Sequence, residues 1–259
     1  MPLLLEGVSG AVPRVQSPAA VRFDWGLPGA QATGQPGGAL VIVDVLSFST
    51  AVAIAAGRGT AVYPHAWPSA GIEAFAAARS AALALPRDQA SPSRPWSLSP
   101  ASLLRAPIPR RLVLPSPNGS AIAAAAARGS VLAGSLRNAS AVARWLEQHD
   151  YATPHRPVAI IAAGERWPSG DLRPALEDLL GAGAIIAALA PDRDRSPEAL
   201  AAEAVWRACR HEAREFLRDC QSGRELVAAG YAADIMLAAE HDSQTTVPLL
   251  TGTAFREAV

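Results

Sequence analysis

The sequence contains no lysine: its 23 basic residues are all arginine, and 23 acidic residues balance them to a formal net charge of zero. A P-loop would lack its lysine, a Schiff-base or pyridoxal enzyme its amine, and an SxxK acyl-transfer site its base. A net charge of either sign is missing as well. A neutral chain lacks the broad basic field that nonspecific nucleic-acid binding needs, so no DNA or RNA partner is expected. Cysteine is scarce, with only Cys209 and Cys220. Both fall in a stretch that reads as one helix, which sets them roughly 16 Å apart along its axis, too far for a disulfide. Packing thiols are expected instead. Long apolar runs are absent too: residues 179–190, the longest uncharged stretch of the second half, are too few for a bilayer span and are broken by Gly181 and Gly183. Residues 1–6 lack the basic and apolar regions of a signal peptide. A cytoplasmic protein without a membrane association is expected.

What is present points to a folded α/β chain. Half the residues are hydrophobic and 18% are charged, which is no disordered composition. Residues 39–45 form a continuous apolar run with β-branched side chains, as expected of a parallel strand covered on both faces. The run contains Asp44 near its end and leads through a Ser/Thr cluster into a helical stretch, 49–56, closed by Gly57 and Gly59. The same unit recurs. Residues 20–25, 60–63, 81–85, 111–114, 130–133 and 158–163 read as strands, and 68–80, 118–127, 138–149 and 173–189 as helices. Pro68 falls in the first turn of its helix. The rest of the first 38 residues and the Pro/Ser-rich stretch 86–110 read as loop. Alternation of this kind predicts a three-layer α/β/α fold around a largely parallel or mixed sheet.

The C-terminal segment is helical. Ser196 caps and Pro197 starts a helix running to about Asp219, residues 222–225 have capping-box form and open a short helix that Gly230 stops, and a third helix covers 231–240. The chain, 1–259, reads as a single α/β domain. Residues 196–241 are either a helical layer on the sheet, the favoured reading, or a small subdomain.

In open α/β sheets, ligands bind beyond the carboxyl ends of the strands. The candidates there are Asp44, Ser47, Ser49 and Thr50; Ser116, Asn118, Gly119 and Ser120; Gly134, Ser135 and Asn138; and Gly164 with Glu165. Hydroxyls, amides and carboxylates in this arrangement suit an anion at helix N-termini beside a carboxylate-bound divalent cation. An ionised Asp44 at the end of a buried strand is costly unless paired, although it also fits a helix cap. Asn118, Gly119 and Ser120 also fit an ordinary turn, and Asn138 a plain N-cap. Glu177 and Asp178 lie in the first turns of a helix, where acids favour the macrodipole, and point about 100° apart, so one faces the site and the other solvent or a partner. There is no GxSxG, HExxH or DxDxT motif, and the five histidines show no metal-ligand spacing. Gly181 and Gly183 resemble the start of a dinucleotide fingerprint but follow helix, so tight helix packing is their expected role.

Residues 41–50 (VIVDVLSFST), 116–120 (SPNGS), 134–138 (GSLRN), 162–164 (AAG), 176–178 (LED) with 182–184, 222–226 (SGREL), and Asp242 followed by Val247 and Pro248 occur in an order that resembles the 2-phosphosulfolactate phosphatases of coenzyme M biosynthesis. The resemblance runs from about residue 20 to Phe255. It implies a Mg²⁺-dependent phosphoric monoester hydrolase of α/β/α fold acting on a small, anionic phospho-acid, and it leaves a homo-oligomer open. Asp44 is the first choice of catalytic group and metal ligand, and Glu177 the second, with Asp178 as a further ligand. Ser47, Ser49, Thr50, Asn118, Gly119, Ser120 and Asn138 would bind substrate or phosphate. There are departures. The family often has an arginine where Ser47 stands, a Gly-Glu pair where residues 84–87 read ALPR, and Gly-Asn-Ser-Pro where residues 97–100 read SLSP. Arg87, Arg94 or Arg137 would compensate, or each is a solvated surface charge. A non-catalytic protein binding a phosphorylated or sulfonated metabolite is the competing expectation, and an isomerase or lyase on the same anion site a weaker one.

Overall fold

The computed structural model describes residues 16–67, 69–125 and 129–258. The expectations for residues 1–6, for Pro68 as a first-turn residue and for the end of the helix at 126–127 lie outside the described residues.

The first half of the chain alternates between strand and helix. It contains β1 (Val21–Trp25), α1 (Gly26–Thr33), β2 (Ala39–Val43), α2 (Phe48–Gly57), β3 (Ala61–Ala66), α3 (Ile72–Ala77), β4 (Ala82–Leu83), α4 (Pro100–Arg105), β5 (Arg111–Ser116) and α5 (Gly119–Ala125). β6 (Ser130–Gly134), α6 (Ala139–Gln148) and β7 (Val158–Ala162) follow, then a two-stranded ribbon of β8 (Glu165–Arg166) and β9 (Leu172–Arg173). The remainder is α7 (Leu176–Ala188), α8 (Pro197–Cys209), α9 (Ala213–Asp219), α10 (Gln221–Ala228), α11 (Ala232–Ala238), β10 (Pro248–Thr251) and β11 (Ala254–Glu257).

The main sheet has the order β1-β7-β2-β6-β10-β11-β3-β5-β4. β1, β7, β2 and β6 are mutually parallel, as are β3, β5 and β4. The two parallel blocks are joined by the antiparallel hairpin β10–β11, whose Leu249 pairs with Leu132 of β6 and Phe255 with Val62 of β3. Alternate residues of β2 feed opposite layers, as a strand's period of two requires. Ala39, Val41 and Val43 join the core beneath α6, α7 and α8, whereas Leu40 and Ile42 join the core beneath α1, α2 and α5. The fold is α/β with helices on both faces. The C-terminal helices share the first of these cores through Ala199, Trp206, Leu217, Ile235 and Ala238.

Several sequence expectations are corrected. Residues 26–33 are helical, and the stretch 86–110 contains α4, opened by a Ser99 cap and Pro100. The helix expected from Arg173 begins at Leu176, because Leu172 and Arg173 pair with Arg166 and Glu165. The helix expected to run from 197 to 219 is interrupted by a 3₁₀ turn at Arg210–Glu212, and Cys220 stands outside it as the N-cap of α10. That cap, accepting from the Gly223 amide at 3.4 Å, replaces the one expected at Ser222. The glycines of α7 do serve close packing: a Cβ on Gly181 would lie 2.5 Å from Val45, and one on Gly183 would lie 2.1 Å from the Ala202 carbonyl of α8.

Candidate active site

The chain leaves β2 at Val43 and passes directly into Asp44, 7% exposed at the sheet's carboxyl edge. Asp44 Oδ1 accepts from the Phe48 amide at 2.9 Å, and Oδ2 accepts from the Gly119 amide at 3.3 Å. One carboxylate thus joins the starts of α2 and α5. Glycine is needed at 119 because a Cβ there would stand 2.3 Å from the Phe48 ring and 3.1 Å from Asp44 Oδ2. Three of the predicted hydroxyls build this loop from within. Ser49 Oγ donates to the Ile42 carbonyl at 2.7 Å and accepts from the Asp44 amide at 3.0 Å. Thr50 Oγ1 donates to the Val45 carbonyl at 2.8 Å and Ser120 Oγ to the Leu114 carbonyl at 3.4 Å.

Three further carboxylates surround Asp44. Asp178 accepts from the amides of Val45 at 2.7 Å and Gly164 at 2.9 Å, tying the ends of β2 and β7 together. Glu177 accepts from the Cys220 thiol, Sγ to Oε2 being 3.3 Å. Glu165 Oε2 accepts from Asn118 Nδ2 at 2.9 Å. Both members of the Glu177–Asp178 pair are buried, at 2% and 3% exposed, so neither faces solvent. The pair does diverge, Glu177 toward Cys220 and Asp178 toward the Val45 and Gly164 amides, but the expected solvent-facing side is covered by the start of α10.

Burial is the main cause of the electrostatics here, and mutual repulsion adds to it. Asp44 is pushed up to about 6 by burial, against the pull of its two amide donors, with Glu177 raising it and Arg87 lowering it further. Glu165 rises to about 7 through burial and then the charge of Asp44, with the Asn118 hydrogen bond and Arg173 opposing. Asp178 lies well above the ordinary aspartate range through burial, Asp44 and Glu177. The Cys220 thiol is pushed up to about 12, again first by burial and then by Glu177.

The donor set suits a hard cation: carboxylate oxygens with repulsion that a positive charge would relieve. Among the described residues no three His, Cys, Asp or Glu side chains form a ready-made cage. Mg²⁺ needs fewer, since it is commonly held by one or two carboxylates, with waters and substrate oxygens completing the shell. Oε1 of Glu177 and Oε1 of Glu165 have no hydrogen-bond partner among the described residues.

Two cations border the acids. Arg87 Nη2 donates to Ser47 Oγ at 2.6 Å, so of the three arginines considered it is Arg87 that reaches Ser47. Arg137 is turned away, bonded to Gln244, Glu240 and the Leu237 carbonyl. Arg173 is paired with Glu225 at 3.2 Å and lies across the ribbon from Glu165. Asn138 is not brought to the acids. Its Nδ2 donates to the carbonyls of Ala133 and Thr246, its Oδ1 accepts from Ser135, and it makes no side-chain cap on α6.

A family model described as 2-phosphosulpholactate phosphatase matches residues 29–253. The chain belongs to that family. No curated protein matches the sequence. The matched span contains every carboxylate of the site, both bordering arginines and the hairpin turn at the centre of the sheet. Members of the 2-phosphosulpholactate phosphatase family are phosphoric monoester hydrolases, and the family implies a small phospho-acid as substrate. Among the described residues no helix is long and apolar enough to cross a membrane.

The sequence reading placed Asp44, Ser47, Ser49, Thr50, Asn118, Gly119, Ser120, Asn138, Glu177 and Asp178 around one centre and noted Glu165 only as a strand-end residue. In the structure Ser49, Thr50, Ser120 and Asn138 spend their hydrogen bonds on the backbone and on Ser135. The sequence reading did not give Glu165 a role, nor link Cys220 to Glu177. The signal for Glu165 was its position one residue past Gly164, whose φ of +68° turns the chain at the end of β7.

Proposed function

We propose that the protein is a Mg²⁺-dependent phosphatase that hydrolyses 2-phosphosulfolactate to sulfolactate and phosphate. One observation carries the reading: Asp44 is buried between two helix starts, with burial and the neighbouring carboxylates, Glu177 among them, raising the carboxyls of Asp44, Glu165 and Asp178. A site this negative repels a polyanionic substrate unless a cation is also bound. Asp44 and Glu177 would hold that cation, while Asp178 fixes the backbone of Val45 and Gly164 beneath them. Bound Mg²⁺ would supply charge neutralisation for the transferring phosphoryl group.

The chain's own residues account for the proton transfers. Glu165, at about 7, is matched to work near neutral pH as a general base. It takes a proton from water as the water oxygen bonds to phosphorus and the bond from phosphorus to the ester oxygen breaks. The protonated Glu165 then returns a proton to the departing sulfolactate oxygen. Asn118, bonded to Glu165 Oε2, sets the carboxyl's orientation. Ser49, Thr50 and Ser120 shape the loops, and Ser47 and Asn118 are the predicted polar residues that border the acids.

The test is a phosphate-release assay over small phospho-acids, 2-phosphosulfolactate included, with Mg²⁺ and with EDTA. Turnover of 2-phosphosulfolactate that EDTA abolishes and Mg²⁺ restores is expected. Turnover that survives EDTA overturns the metal, and absence of phosphate release from every compound overturns the hydrolase reading.

A further inference from the structure

Arg87 is placed with more care than a surface charge requires. It sits in a 3₁₀ turn, Arg87–Gln89, within the long connection between β4 and β5, with its side chain 18% exposed. Its guanidinium is held from three directions. Nε donates to Asp234 Oδ2 at 3.2 Å, Nη2 donates to Ser47 Oγ at 2.6 Å, and the Tyr231 ring centroid lies 5.5 Å from the guanidinium carbon.

Asp234 is itself immobilised. It is 1% exposed on α11, and its Oδ1 accepts from Ser99 Oγ at 2.6 Å and from the Ala101 amide at 3.0 Å. One carboxylate therefore fastens α11, the start of α4 and the guanidinium together. A charge so anchored loses little side-chain entropy on meeting a ligand.

Two donors remain. Arg87 Nη1 has no partner among the described residues, and neither does the hydroxyl hydrogen of Ser47, whose oxygen accepts from Arg87. Ser47 is the N-cap of α2, three residues from Asp44. Two unused donors thus stand together beside the acidic centre, one of them charged. The other bordering cation, Arg173, is paired with Glu225, whereas the acid on Arg87 is buried and faces away from Ser47 through Nε.

We infer that Arg87 and Ser47 form the subsite for the second anionic group of the substrate, the sulfonate or carboxylate that is not transferred, and that Asp234 is the positioning residue that aims Arg87. The inference rests on the hydrolase reading for its kinetic test. The carboxylates serve the phosphoryl end through a cation, and the anchored guanidinium serves the other end directly. Selectivity for a phospho-acid over a simple phosphate ester then resides in Arg87.

The test compares kcat and KM of wild type, Arg87→Gln, Arg87→Lys and Asp234→Asn on phosphoglycolate, which carries a second anion, and on p-nitrophenyl phosphate, which does not. Loss of a charge-assisted hydrogen bond predicts that Arg87→Gln raises KM for phosphoglycolate at least about tenfold more than for p-nitrophenyl phosphate, with the change in KM exceeding that in kcat. Arg87→Lys recovers part of the selectivity. Asp234→Asn shifts KM in the same direction by about threefold or more, since it keeps the cap on α4 and loses only the charge that orients the guanidinium. Equal losses on both compounds in a variant that melts like wild type overturn the inference. Should the wild type hydrolyse neither compound, the kinetic comparison passes to 2-phosphosulfolactate, and only its failure too overturns the hydrolase reading. Calorimetry with sulfoacetate, which has no phosphate, then decides the subsite separately: binding weaker in Arg87→Gln than in wild type supports it, and equal or absent binding overturns it.

Discussion

Asp178 and Asp234 are the same residue at nearly the same burial, 3% and 1% exposed, and their surroundings are opposite. Asp178 accepts two backbone amides, and burial first, with the charges of Asp44 and Glu177 adding to it, holds its carboxyl well above the usual range. Asp234 accepts a hydroxyl and an amide and pairs with Arg87. Burial alone therefore does not decide what a carboxylate does. Asp178 braces a cluster of acids, the cluster proposed above to bind a cation through Asp44 and Glu177, while Asp234 already has its guanidinium.

The sharpest way to break this comparison is Asp44→Asn against Asp234→Asn. The first is expected to lower kcat about a thousandfold, roughly 4 kcal/mol of barrier, and the second to act mainly on KM. Equal losses in kcat would show that the two acids play one role. Next in size is the response of metal-free stability to pH. Asp44 and Glu165 have folded values near 6 and 7, above their ordinary ones, so the folded state binds more protons than the unfolded state between about pH 4 and 7. Their contribution is fully present at low pH and lost as pH rises through those values. The melting temperature without metal should rise by at least about 2 °C from pH 8 to pH 5. Mg²⁺ should stabilise at pH 8 and much less at pH 5, and Asp234→Asn should leave that dependence in place.

Smaller effects refine the acidic side. Asn118→Ala removes a hydrogen bond that lowers Glu165, so the acidic limb of the kcat profile should move up by about half a unit or more. A limb that stays put would remove Glu165 as the base. Smallest of all, alkylation of the folded protein at pH 8 should spare Cys220, whose thiol ionises only near 12, and Cys220→Ser should keep turnover within about threefold because a hydroxyl still donates to Glu177.

Much of the fold was legible because its signals are local. The apolar runs that became β2, β6 and β7 are bounded by turn residues, and Asp44 stood out as an acid ending such a run. Ser99 with Pro100 carries the same start signal as Ser196 with Pro197, yet only the second was read as a helix, because the first is buried in a Pro/Ser-rich stretch. The hairpin β10–β11 has short strands, one opening on Pro248, and its pairing depends on Leu132 and Val62, which lie far away in sequence. No local pattern encodes that. The site divides in the same way: strand-end acids follow from topology, whereas Arg87 and Asp234 meet across 147 residues and Cys220 and Glu177 across 43.

That hairpin also sets the order in which the molecule can be completed. The blocks β1-β7-β2-β6 and β3-β5-β4 each present an unpaired edge toward the other until β10 and β11 slot between them. Among the described strands of the sheet these come last in sequence, so the edges of β6 and β3 stay unpaired until residues 248–257 have been made. A chain cut before residue 248 would leave both edges open, and an open sheet edge is a template for pairing with another chain.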